Sequence, residues 1–291
     1  MELKPALTID EQLKVLRSRG LIIDNIEESG SFLQSNQYYR LNIYFHKFMD
    51  LDNHFKNHTN FRQIMWCYLN DRWLRNKILL LLEEIEIKAK TQIAYYLGIN
   101  YGSRAFYISE LYKVAAYQDQ IIKAFNLEKL RNKKDPVILH HIQKYSGKFP
   151  IWVILEYLTF NSISKYFSNL QEKDKKIIAK EGFGLHETLY ENWLHVLSVL
   201  RNICAHYGYL YRREYTVRPK IAREFGWDEK RNNELFALLL IMRRLCEEKS
   251  WERFSNELEN RTKKNESFNL LDYGFPGDWQ LFLDKTFKNS K

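Results

Sequence analysis

The chain has 291 residues, 45% of them hydrophobic and 15% aromatic, with 45 Lys and Arg against 36 Asp and Glu for a formal charge of +9. So many aromatic side chains exclude an extended disordered chain, and only 11 Gly and 5 Pro in this length favour long helices. A pI near 9.2 is compatible with nucleic acid or another anionic surface, although a mildly basic soluble protein needs no such partner.

The three cysteines, Cys67, Cys204 and Cys246, are odd in number and scattered through apolar helical contexts. They read as buried thiols of a reducing cytosol, not as a disulfide or zinc framework. The start, MELKPALTIDEQ, lacks the apolar run of a signal peptide, and apolar runs such as Leu235–Met242 are far short of a membrane span. A soluble, cytoplasmic protein with no membrane partner is expected.

In chain order, Thr8 and Glu11 form a capping box that opens a helix to about Arg19, closed by Gly20. A second short helix is expected near Asp24–Leu33, and the aromatic-rich Asn36–Met49 packs as a third. Leu51–Thr59 is polar and aperiodic, a loop. A long helix follows from about Asn60 to Leu97, with Trp66, Leu69, Trp73, Leu80, Ile85 and Ile93 as its apolar stripe and Gly98 and Gly102 as its break. Asp135 and Pro136 start another helix, and Pro150 precedes one over Ile151–Leu170. The KDKK run Lys173–Lys176 reads as a solvated turn and helix start. A further helix fits Asp228–Glu248, and the turn around Gly274–Trp279 docks an aromatic before a last short helix. No period-2 pattern of any length appears. The fold expected is all-α, with residues 1–58 as an amino-terminal helical region and 59–291 as a helical domain carrying a basic and aromatic insertion near 207–227.

The chemistry concentrates in LSVLRNICAHYGYLYRR, Leu197–Arg213. Leu194, Leu197, Leu200, Ile203 and Cys204 recur at helical spacing, so the segment is an amphipathic helix. At about 100° per residue Asn202 and His206 share one face, while Arg201 lies about 140° round from His206. Metal-free RNA cleavage needs a group that exchanges protons near neutrality and a cation beside the phosphate, which His and Arg supply. The competing reading is a helix with a capping His and two solvated polar residues. A second, formal match, Arg40 and His46 with five residues between them against four in Arg201 to His206, falls in the aromatic helix and reads as structural packing. The run Tyr207, Tyr211, Arg212, Arg213, Arg218, Lys220 and Arg223 either holds RNA, through phosphate contacts and base stacking, or is a tyrosine-rich packing edge. His54 and His58 have the spacing of a zinc pair but lie in the loop without an accompanying acid, so no metal is expected. No phosphate-cradling glycine loop is present, and no cofactor is expected.

LRNICAHYGYLYRR resembles the motif of the Abi-like abortive-infection family (AbiD and AbiF proteins) of the HEPN superfamily, whose signature is Arg, a polar residue, then His four to six residues beyond the Arg. KPALTIDEQLKVLRSRGLII with NQYYRLNIY, DRWLRNKILLLLEEIEIKAKTQIAYYLG, PIWVILEYLTFNSISKYFSNL and GFPGDW are similar to further blocks of that family, in order, from about Lys4 to Trp279. The resemblance implies an all-helical HEPN-type bundle and a metal-independent endoribonuclease of the 2′-hydroxyl transesterification type. It also implies a growth-arresting toxin of phage defence, restrained in some relatives by a small regulatory RNA. It places catalysis on Arg201 and His206 with Asn202 assisting, and implies a homodimer in which two such helices face each other. A non-catalytic RNA-binding or sensor module of the same fold is the alternative, and a helical protein adaptor a third reading.

Overall fold

The computed structural model describes residues 5–221 and 225–288, so Arg223 of the basic run lies outside the described residues. The chain is an all-α bundle, and among the described residues there is no strand, only isolated bridges. The helices are α1 (Ile9–Ser18), α2 (Ile26–Asn36), α3 (Tyr38–Phe45), α4 (Phe61–Tyr101), α5 (Ala115–Arg131), α6 (Pro136–Tyr145) and α7 (Ile151–Tyr157). They continue with α8 (Phe160–Ser168), α9 (Glu172–Phe183), α10 (Glu187–Ala205), α11 (Leu235–Leu245), α12 (Glu248–Lys264) and α13 (Trp279–Lys288).

Local chemistry sets many of the boundaries. Thr8 and Glu11 close the α1 capping box, and Asn60 and Gln63 do the same for α4. Asp135 accepts from the Val137 and Ile138 amides with Pro136 at the first helical position of α6. The helix expected over Ile151–Leu170 is two helices, because Leu158 is extended and the Thr159 hydroxyl restarts the chain by capping Ser162 N–H.

Helix α4 has 41 residues, about 60 Å of rise, and packs against α2, α3, α7, α8, α9, α10, α11 and α12. Its buried row runs Ile64, Asp71, Ile78, Ile85, Ala89 and Ile93, so the expected stripe holds at Ile85 and Ile93 but not at Trp66 or Leu80, which are exposed. Trp73 is half-buried because its ring faces outward under the Arg261 guanidinium, 4.8 Å from the centroid. Gly98 does not break α4, which runs on to Tyr101 and closes at Gly102 with φ 84°. Helix α11 is buried along nearly its whole length, beginning at Leu235 and not at Asp228. Two helices were not legible in the sequence pattern, α5 and α12. The solvated reading of the KDKK run is also corrected: Asp174 and Lys175 are buried, the first accepting from Tyr96 and Tyr101, the second paired with Glu172 and Glu191.

One buried junction locates the rest. Asp71, fully buried on α4, accepts from the Tyr44 hydroxyl of α3 at 2.8 Å and from the backbone N–H groups of Leu210 and Tyr211 at 3.0 and 2.9 Å. Arg75, also buried, pairs with the same carboxylate one turn along α4. Burial pushes the Asp71 carboxyl up, while Arg75, Tyr44 and the two amides pull it down. Burial and the neighbouring Asp71 carboxylate push the Tyr44 hydroxyl far above its ordinary range, which keeps it a donor. Four donors on one carboxylate thus fasten α3 and the segment after α10 to the same point of α4. Removing the carboxylate leaves a buried guanidinium and two buried amides unpaired, so Asp71→Ala is expected to cost about 3–5 kcal/mol. Urea unfolding of the variant against wild type measures it.

Candidate active site

Helix α10 begins at His186, whose Nδ1 accepts from Thr188 N–H, and buries Tyr190, Trp193, Leu194, Val196, Leu197, Leu200 and Cys204 against α4, α8, α9 and α11. Its opposite side leaves His195, Asn202 and His206 exposed, with Val199 half-buried between them. Asn202 and His206 therefore stand on one exposed face, a turn apart, joined through the backbone where His206 N–H donates to Asn202 C=O at 2.9 Å. Burial pushes the Cys204 thiol up to about 12, so the cysteine inside the motif is an apolar packing group.

Arg201 is not brought to His206. Its Nε lies 3.5 Å from Glu86 Oε2 on α4, and the same Glu86 pairs with Lys90 at 3.0 Å. The helical angle read from the sequence explains this: a residue about 140° away faces the neighbouring helix, and here that helix carries the acid.

The chain leaves α10 by a Schellman turn. His206 is the C-cap, Tyr207 takes the left-handed conformation at φ 61°, and Gly208 N–H donates to Ile203 C=O at 2.8 Å while Tyr207 N–H reaches Cys204 C=O at 3.3 Å. Gly208 is required there, because a Cβ would sit 2.9 Å from Ile203 Cγ2 and 3.1 Å from its carbonyl oxygen. The turn presents His206, Tyr207 and Tyr209 to a groove of about 470 Å³ whose other wall is α3 and the 3-10 turn His46–Phe48. That wall supplies Tyr39, Arg40, Asn42, Ile43, Tyr44 and His46, and among the described residues no carboxylate lines the groove. Arg40 Nη1 donates to Tyr207 C=O at 3.0 Å and bridges the two walls.

The packing role expected for Arg40 and His46 is thereby corrected, since both side chains are exposed and line the same groove as His206. The spacing of Arg40 and His46 was visible in the sequence. What the sequence did not carry was the Asp71 junction that brings α3 to the end of α10.

The basic and aromatic run divides. Tyr207 reaches the groove, but Tyr211 is buried, its ring 5.3 Å from Tyr44 and 5.8 Å from Tyr273, leaving no free face for a base. Arg212 lies 3.5 Å from Asp272, and Arg213 stacks over Tyr209 at 5.0 Å. Arg218 and Lys220 are exposed beside the first half of α10, where Lys220 N–H donates to Asn192 Oδ1 at 2.7 Å and Asn192 donates to Arg218 C=O at 3.3 Å. Lys220 lines a separate groove with His195 and Glu191, about 20 Å along α10 from the first by helical rise. Among the described residues, no three His, Cys, Asp or Glu side chains gather as ligands for a metal ion.

The model of the Abi-like protein family matches residues 31–212, which takes in α3, the whole of α4 and α10, and both walls of the groove. The chain belongs to the Abi-like family. Membership in this family points to abortive infection, a form of phage defence. Comparison with curated proteins and with solved structures gave no match. No described helix of this Abi-like chain is long and apolar enough to cross a membrane.

Tyr207 is a bulky residue where the turn favours glycine, a conformation that costs roughly 1–2 kcal/mol for an L side chain. The residue is 69% exposed, so little packing offsets that cost. Tyr207→Gly is expected to stabilise the fold by about 1 kcal/mol, read as a higher urea midpoint.

Proposed function

We propose that this Abi-like chain is a metal-independent endoribonuclease of the HEPN type that arrests growth as a toxin of phage defence. One observation carries the reading: His206 stands exposed at the end of α10 in a groove with cationic and aromatic walls and, among the described residues, no lining carboxylate. An anionic phosphodiester fits such a lining, and the tyrosines offer faces for unpaired bases. An imidazole exchanges protons near neutrality, so His206 serves the proton transfers at the reacting oxygens. The 2′-oxygen of the substrate attacks phosphorus, the bond to the 5′-oxygen breaks, and a 2′,3′-cyclic phosphate and a free 5′-hydroxyl result. Asn202, on the same exposed face, orients the imidazole or the phosphate. The RNA is the substrate, and a small regulatory RNA is a candidate restraint at the same groove.

A homodimer belongs to the reading as well. The stripe of exposed His195, Asn202 and His206, with half-buried Val199 between them, is the face of α10 that a second copy would meet. A second reading, an RNA-binding module without turnover, is favoured by the ion pair that turns Arg201 toward Glu86.

The two separate on His206→Ala. Purified protein incubated with single-stranded RNA in EDTA is expected to produce cyclic-phosphate ends, and the variant to lose about 10²–10⁴-fold in rate while keeping RNA affinity. Cleavage that appears only with added divalent cation defeats the mechanism. Wild-type RNA affinity with no cleavage by either protein supports the binding module.

A further inference from the structure

We propose that α3 completes the active site within one chain, with Arg40 as the cation at the scissile phosphate and His46 as the second proton-transfer group opposite His206. The assignment rests on the nuclease reading of His206 and adds to it the residues that reading lacks.

Within a single chain, two needs remain open after His206 is placed. The developing charge on the phosphate oxygens needs a fixed cation, and Arg201 is turned to Glu86. Breaking the bond to the 5′-oxygen needs a proton donor, while attack by the 2′-oxygen needs a base, and one imidazole cannot hold both protonation states at once. The opposite wall supplies both groups. Tyr39, Ile43 and His46 recur at i, i+4 and i+7 along α3 and its 3-10 extension, away from the buried Leu41, Tyr44 and Phe45. Arg40 has no ion pair among the described residues, and its bond to Tyr207 C=O uses one of five N–H donors. That bond aims the guanidinium at the turn carrying His206. The two imidazoles are also placed alike, each at the C-cap of its helix.

The proton balance then closes without water. One imidazole takes the 2′-hydroxyl proton as oxygen bonds to phosphorus, and the other gives its proton to the departing 5′-oxygen. The titratable groups that line the groove with the two imidazoles are Arg40, Tyr39, Tyr44, Tyr207 and Tyr209, the Tyr44 hydroxyl being held by Asp71, with Lys47 beside His46 already paired to Asp272 at 2.5 Å.

The test is steady-state cleavage of a labelled single-stranded RNA by the full chain in EDTA. Arg40→Ala is expected to lose about 10²-fold or more in kcat/KM, and Arg40→Lys to recover part of it, restoring charge without the planar fork. His46→Ala, an exposed position that leaves folding intact, is expected to lose about 10²–10⁴-fold in kcat with KM little changed, and to flatten one limb of the pH–rate profile. Lys14→Ala, which removes an exposed charge on α1, is the control and should cleave like wild type. If His206→Ala abolishes cleavage while Arg40→Ala and His46→Ala match wild type, the assignment of α3 is overturned and the nuclease reading stands. If His206→Ala also cleaves normally, the nuclease reading itself falls. Mixing Arg40→Ala with His206→Ala protein should leave the mixture inactive. Recovery to about a quarter of wild-type activity, the statistical share of intact sites in a mixed dimer, would overturn assembly within one chain.

Discussion

A single carboxylate with four donors holds the functional end of this molecule together. Asp71 belongs to the longest helix, yet two of its partners are backbone amides from a segment about 140 residues away, and a third is the hydroxyl of Tyr44. A buried carboxylate is costly unless its lone pairs are filled, and here every partner comes from an element that must be correctly placed to fill them. The junction therefore couples the position of α3 to the path of the chain after α10. Neighbouring contacts follow from it: Tyr44 and Tyr211 pack ring to ring, and Asp272 gathers Lys47 and Arg212 around the same segment. The groove between α3 and the end of α10 is a consequence of this fastening, because its two walls share one anchor.

The groove is made of helix ends and turns. His206 ends α10, His46 ends α3, and Tyr207 occupies a left-handed position that glycine would fill at lower cost. Placing reactive side chains at helix termini frees them from burial on a packed face, but it makes their position depend on turn geometry. Gly208 carries that dependence on one side through its close approach to Ile203, and Arg40 carries it across the groove through the Tyr207 carbonyl. Tyr207 keeps that left-handed conformation with its side chain exposed at the groove.

Much of the architecture was legible in the sequence because capping chemistry and helical period are local signals. The capping box at Thr8, the Asp135–Pro136 start and the apolar run of α10 all rest on residues within a turn or two of each other. The failures share a different cause. Trp66 and Leu80 are apolar but exposed, and Asp174 and Lys175 are charged but buried, since both outcomes depend on what lies opposite in space. The break at Leu158 was hidden by the strong apolar pattern on either side of it. At the site, Asn202 and His206 were readable from one helix face. Arg40 and His46, with one residue more between them than Arg201 and His206, were read as packing, because only the tertiary junction at Asp71 reveals what α3 faces. Tyr211 erred in the other direction: its tyrosine-rich context suggested a surface, and the same junction draws it inward.

The two arginines of the paired motifs differ by angle more than by energy. Arg201 is about a third exposed and sits 3.5 Å from its carboxylate, so that ion pair is worth at most about 1 kcal/mol after screening by solvent. Glu86 would keep Lys90 if Arg201 left, so no buried charge would be stranded. Energy alone therefore does not hold Arg201 away from a phosphate. Its position on the helix does, five residues before His206 and on a different face, so one guanidinium on α10 cannot serve an imidazole on the same helix without help from outside it. Two arrangements supply that help: a second copy of α10, or another element of the same chain. The second is already present, for α3 lies across the groove with an arginine that has no acidic partner among the described residues. A site assembled this way would give the amino-terminal helices a part in the proposed chemistry as well as in the packing.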